Sequence, residues 1–173
     1  MELALRRINI PDQIITILKH IHTNRKDQII TSQGLTDPYD VEDGLDQGET
    51  YSPLLWRIFY DPILLHIHNT NKEHAYILQK EDMADVVEDR DSVAITHLAF
   101  VDDTAWISNT KEGLHKIFTT AAKIYKEVDI QINFNKCEII RVGPREMTSD
   151  AITVDDRAIP ILRANIPARY LGI

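Results

Sequence analysis

The sequence predicts an α+β domain built on a mainly antiparallel sheet backed by helices. Three observations carry this. Helical apolar spacing alternates along the chain with short apolar runs of strand length. The strand runs come in adjacent pairs around polar turns, as hairpins do. Nothing repeats in the strand–helix–strand rhythm that a parallel sheet needs.

The elements follow in order. Ile10-Pro11-Asp12 opens a helix with Ile14, Ile15, Ile17, Leu18 and Ile21 near helical spacing. Gln28–Thr31 and Tyr39–Val41 read as short strands around the turn Gly34–Pro38. Ser52-Pro53 starts a second helix, with Ser as N-cap and Pro at the first helical position. It runs through Leu54, Leu55, Ile58 and Phe59, and Pro62 is expected to kink or restart it, with Asp61 as a new cap. Residues 69–90 read as a polar, acidic loop or insertion with a frayed helix. Ile95–Phe100 and Thr104–Ile107 are the clearest strand pair. Asn109 or Thr110 then caps a helix whose apolar face is Leu114, Ile117, Phe118, Ala121, Ala122 and Tyr125. Gln131–Phe134, Cys137–Val142, Ala151–Val154 and Arg157–Leu162 are expected strands.

The chain has 173 residues, enough for one domain with a core. Apolar residues are 43% and charged residues 27%, ordinary for a globular protein. No apolar run approaches the ~18–20 residues of a membrane span, and Met1–Arg7 lacks a secretory layout. The single Cys137 excludes an internal disulfide and a cysteine zinc site. The expected setting is intracellular, in nucleus or cytoplasm. The net charge of −8 counts against a duplex-binding surface, which is usually basic.

Phe100-Val101-Asp102-Asp103 places two carboxylates at the tight end of an apolar hairpin. Such a pair ionises jointly when a cation compensates. A hard, oxygen-seeking ion such as Mg²⁺ suits it, and brings substrate phosphates. Taken alone, Asp-Asp reads first as a good turn dipeptide. Val154-Asp155-Asp156-Arg157 is the internal comparison, and reads as a plain turn.

Gly44-Leu45-Asp46-Gln47-Gly48 leads through Glu49-Thr50-Tyr51 into Ser52-Pro53. Gly48 permits positive φ and close approach of a ligand, and helix N-termini attract phosphates. The plainer reading is a strand-to-helix connection. Lys136, in Asn133-Phe134-Asn135-Lys136, either holds a phosphate or donates a proton, or is a solvated edge lysine. Arg169-Tyr170-Leu171-Gly172-Ile173 alone is a strand and a turn. His66 with His68, and His20 with His22, sit at i, i+2, which splits each pair between helix faces. His97 reads as a core or sheet-face histidine, Cys137 as a buried strand thiol, Trp56 and Trp106 as core aromatics.

The order of these blocks resembles reverse transcriptases, most closely the non-LTR retrotransposon class. Gly-x-x-Gln-Gly-x-x-x-Ser-Pro is followed by aromatic-x-Asp-Asp, Asn-x-x-Lys and Tyr-Leu-Gly. Ile10-Pro11, Asn24-Arg25 and Gly34-Leu35-Thr36 extend the likeness upstream. Asp46, Tyr51 and Val101 depart from the residues common in the family.

The resemblance implies a right-handed polymerase palm and an RNA-directed DNA polymerase. It implies two-metal nucleotidyl transfer on an RNA or DNA template–primer with deoxynucleotides and Mg²⁺. Asp102 is implied as a metal ligand, with Asp103 beside it adding charge and a weaker contact. Gln47 and Gly48 are implied to lie against template and incoming nucleotide. Ser52 caps the supporting helix, and Phe100 packs beneath the catalytic turn. Lys136 approaches the pyrophosphate side, and Tyr170, Leu171 and Gly172 join the primer grip. Residues 1–173 are then expected to be a partial domain, truncated at both ends. The strand with the family's first catalytic aspartate, most of the fingers and the thumb are expected to be missing. Activity alone is expected to be absent. A non-catalytic retroelement remnant and a recruited palm-like binding module are the alternatives.

Overall fold

The computed structural model describes residues 1–23, 25–41, 45, 48–79, 92–142 and 151–162. Helices and short antiparallel strand pairs make up the described chain, an α+β architecture. It divides into two compact units, Met1–Pro62 and Ile63–Ile173.

In the first unit, α1 (Glu2–Arg7) and α2 (Asp12–His22) pack together. Leu5, Ile15 and Leu55 are its buried centre, with Ile10, Leu18, Leu45, Tyr51 and Ile58 around them. The α2 spacing thus makes the predicted helix, yet Ile14, Ile17 and Ile21 are exposed. Salt bridges join Glu2 to Lys19 at 2.7 Å and Arg6 to Asp12 at 2.6 Å. Hydrogen bonds from Lys19 and then Arg6 hold the Glu2 carboxyl below its ordinary range.

Two nested hairpins follow. β1 (Arg25–Asp27) pairs with β4 (Tyr39–Val41), and inside them β2 (Ile30–Thr31) pairs with β3 (Gly34–Leu35). The expected turn at Gly34–Pro38 therefore lies two residues earlier, at Ser32-Gln33. β1 escapes a reading by hydropathy because it is Arg-Lys-Asp.

α3 runs unbroken from Ser52 to Thr70, with Pro62 inside it and the division between the units just after it. The expected restart at Asp61 does not occur. Proline removes one helical N–H, but eight further residues continue the ladder beyond it. The Asp61 carboxylate meets Arg7 instead, at 2.7 Å.

The second unit has its core on α4 (Lys111–Glu127). Thr110 caps this helix, its hydroxyl accepting from the Gly113 N–H at 3.0 Å. The predicted face is the buried one: Ile117, Phe118, Ala121, Ala122 and Tyr125. Phe118 and Ala122 pack with Ile152, Val154 and Ile159 from β9 (Ile152–Val154) and β10 (Arg157–Ile159), which form a hairpin. His115 Nε2 meets the Thr153 carbonyl oxygen at 3.0 Å, fixing β9 to α4. β5 (Tyr76–Gln79) pairs with β6 (Ser92–Ile95), and β7 (His97–Phe100) with β8 (Asp103–Trp106).

Tyr76–Gln79 is a strand, not part of a polar loop; the polar residues before it hide a four-residue apolar-edged run. Gln131–Phe134 and Cys137–Val142 are not strands. The chain there makes a 3-10 turn at Phe134–Lys136, then a single parallel bridge from Ile139 to Ile161. Residues 132, 134, 137 and 139 still pack on the core, so the apolar residues were read correctly and their backbone was not.

Candidate active site

The β7–β8 hairpin is the element that presents Asp102 and Asp103. Phe100 and Asp103 are its last register pair, so Val101 and Asp102 form a two-residue loop. Val101 has φ +54°, while Asp102 is not left-handed. Positive φ at the first loop position alone is the sign pattern of a type II′ turn, where glycine is the usual occupant. A β-branched residue there is a real outlier, costing on the order of 1–3 kcal/mol. Asp103 belongs to the strand, facing Phe100, and both carboxylates are exposed.

The Asp155-Asp156 pair differs by one position. Val154 and Arg157 close that hairpin, and both aspartates form the loop with φ of +50° and +59°. That is the type I′ pattern, in which Asp is favoured at a left-handed position. Turn chemistry accounts for Asp155 and Asp156 completely. It does not account for Asp102-Asp103, where the strained position goes to valine and a carboxylate is carried into the strand.

The other predicted residues are placed as follows. Gly48 has φ +107° with open space where a Cβ would stand, so its backbone angle, not crowding, asks for glycine. Ser52 is buried, but it does not cap α3. The first helical bond runs from Leu55 N–H to the Tyr51 carbonyl, and the Ser52 hydroxyl points to the Glu49 carboxylate at 3.5 Å. Lys136 is exposed and ends the 3-10 turn instead of opening a strand. Phe100 is 62% exposed, so it does not pack beneath the turn. It shares the outer hairpin face with Leu98, which is 53% exposed, because residues two apart on a strand face the same way. Gln47 and the Tyr170-Leu171-Gly172 group lie outside the described residues, as do Asn24, Gly44 and Asp46.

A family model for reverse transcriptase (RNA-dependent DNA polymerase) matches residues 4–173. The chain belongs to the reverse transcriptase family. No curated protein matches it. No helix among the described residues of this reverse transcriptase is long and apolar enough to cross a membrane.

Members of the family use divalent metal ions. The donor chemistry of the hairpin tip fits such an ion: two exposed carboxylates on adjacent residues, of the oxygen class that Mg²⁺ prefers. No cluster of three or more His, Cys, Asp or Glu side chains arranged to hold a metal occurs among the described residues.

A histidine pair at the base of the same hairpin was missed in the sequence. His68 on α3 and His97 on β7 both reach the hydroxyl of Thr96, at 3.0 and 3.1 Å from their Nδ1 atoms. Their rings are edge-on, 6.4 Å apart. Burial first, then His68, pushes the His97 pKa below its ordinary value. No short-range spacing relates residues 68 and 97, so only the fold brings them together. His66 is exposed, and His22 packs edge-on against Tyr51. Trp106 lies between His97 and Tyr125, and Trp56 stacks on Tyr60. Cys137 is half-buried, and burial raises its thiol pKa.

Proposed function

We propose that this chain carries part of the palm of a reverse transcriptase of the non-LTR retrotransposon class, acting in RNA-templated DNA synthesis by nucleotidyl transfer. The observation that carries the reading is the placement of Asp102-Asp103 against a strained valine, in a turn that plain turn preferences do not explain.

Asp102, in the loop, and Asp103, at the head of β8, would hold the metal, whose chemistry there would be to neutralise phosphate charge and so favour in-line attack by a primer 3′-hydroxyl. The hairpin contributes placement: the Phe100–Asp103 pairing sets both carboxylates on one tight turn. Gly48, with its left-handed backbone, shapes the strand-to-helix connection proposed to meet the template and nucleotide, together with Gln47. Lys136 is exposed and able to meet a phosphate. Tyr170, Leu171 and Gly172 are assigned to the primer grip on the order of the motifs alone.

Residues 1–173 alone are proposed not to extend a primer, because a two-metal centre calls for a further carboxylate beside Asp102 and Asp103 and no group of three metal-binding side chains occurs among the described residues. The alternatives, a non-catalytic remnant or a recruited binding module, share the same hairpin. Templated extension on an oligo(rA)–oligo(dT) duplex is the deciding experiment, with residues 1–173 compared against the longest open reading frame containing them. Activity in the longer protein that vanishes in Asp102→Asn supports the reading. Activity unchanged by that substitution, or none in the longer protein, overturns it.

A further inference from the structure

Thr96 is fully buried and stands where β6 passes into β7. Its carbonyl oxygen accepts from Ile107 N–H at 2.8 Å, just past the end of β8. Thr96 thus ties the entering leg of the Asp102 hairpin to the leaving leg. Its hydroxyl meets two imidazole Nδ1 atoms and carries one proton. It can donate to one ring, and must accept from the other. In the uncharged state one histidine is therefore the Nδ1–H tautomer and the other the Nε2–H tautomer.

We propose that His68, Thr96 and His97 form a proton-sensitive latch that seats the base of the Asp102 hairpin, the two imidazoles sharing the Thr96 hydroxyl as opposite tautomers. Its bearing on catalysis rests on the polymerase reading above. These are positioning residues; none of them touches the reacting atoms. Protonation of the accepting ring turns both Nδ1 atoms into donors. The Thr96 hydroxyl hydrogen then loses its acceptor in a place closed to water, and a buried unpaired donor costs about 1–3 kcal/mol. A second proton adds repulsion between rings 6.4 Å apart. Among the described residues, the titratable group facing His97 is His68 from α3. β8 presents the uncharged Trp106 ring, 5.7 Å away, and α4 reaches the cluster through Tyr125, which packs on Trp106. The shared hydroxyl satisfies both rings only while each keeps one free Nδ1 role, as donor or as acceptor, and acid is expected to release the latch.

The test is long-range ¹⁵N–¹H correlation of the histidine rings in the purified 173-residue chain, assigned with His68→Gln and His97→Gln. At pH 7.5 the expected result is one Nδ1–H ring and one Nε2–H ring from this pair. The Phe100–Asp103 amides and the Trp106 indole are expected to shift on acidification with the midpoint of His97. Thr96→Val is expected to return both rings to Nε2–H and abolish that shared midpoint, while Thr96→Ser preserves both. Two Nε2–H rings in the native chain overturn the proposal. So do tip amides that ignore the histidine titration, or Thr96→Ser behaving as Thr96→Val. If Thr96→Val does not fold, the native chain and Thr96→Ser still decide. The readout needs neither metal nor template, so loss of the polymerase reading and loss of the latch are separate results.

Discussion

Phe100 and Asp103 face each other as the closing pair of the β7–β8 hairpin, which leaves Val101, not an aspartate, in the left-handed position of the turn. One offset separates this hairpin from the one at Val154–Arg157, where both aspartates are loop residues. The two Asp-Asp pairs should behave differently in every experiment that senses a cation.

Titration with Mn²⁺ should broaden the amide resonances of Val101, Asp102 and Asp103 and leave those of Asp155 and Asp156 sharp. Asp102→Asn should remove the effect. Equal broadening at both hairpins would show only nonspecific attraction to acidic turns.

Replacing Val101 by glycine should raise stability by about 1 kcal/mol. Relief of on the order of 1–3 kcal/mol of backbone strain exceeds the roughly 0.5–1 kcal/mol cost of glycine flexibility. The midpoint of urea unfolding measures it. Unchanged or lower stability would mean that Val101 contacts outweigh its backbone.

Gly113→Ala should destabilise the chain despite alanine's better helix propensity, worth about 1 kcal/mol. A Cβ there overlaps the Ser108 hydroxyl and stands 2.9 Å from the Thr110 hydroxyl, the cap itself. Loss of the cap costs about 1 kcal/mol, and overpacking typically a further ~1–3. Thr110→Ala alone should cost about 1 kcal/mol. Thermal unfolding of both variants checks the order.

Burial depresses the His97 pKa below its ordinary 6.5. The unfolded chain then binds the proton more readily than the folded one. This contribution to stability is fully present above pH 6.5 and is lost as pH falls through that value toward the lowered folded one. Urea midpoints should drop between pH 7 and pH 5, and the drop should be smaller in His97→Gln.

Cys137 should react slowly with thiol reagents at pH 8. Burial lifts its pKa above the ordinary 9.0, which leaves little thiolate. Reaction as fast as that of free cysteine would place its sulfur in open water.

Much of this was legible in the sequence, for physical reasons that differ by element. α4 declares itself because its cap, Thr110, and its apolar face repeat at one period. The β7–β8 hairpin is legible because apolar runs flank a polar turn. Other features fail where short-range pattern is silent. Tyr76–Gln79 is called into a strand by pairing with Ser92–Ile95, a partner distant in sequence. Gln131–Phe134 and Cys137–Val142 carry apolar residues at strand spacing, but the chain between them closes on itself, with Lys136 N–H bonding to the Asn133 carbonyl and Cys137 N–H to that of Phe134. Of the site, the position of Asp102 was readable. The offset that distinguishes it from Asp155 was not, because register depends on which residue closes the turn. The Thr96 cluster had no short-range trace at all.

Every ladder among the described strands joins two partners and stops. A slip or opening in one hairpin therefore breaks no hydrogen bond in the next, and each can fray without a shared sheet to restrain it. Amide exchange should resolve these hairpins into separate opening units, with the β9–β10 pair, whose Ile152, Val154 and Ile159 are buried, closing longest. In such a chain the tip that bears Asp102 can breathe while the helical core beneath Phe118 stays shut.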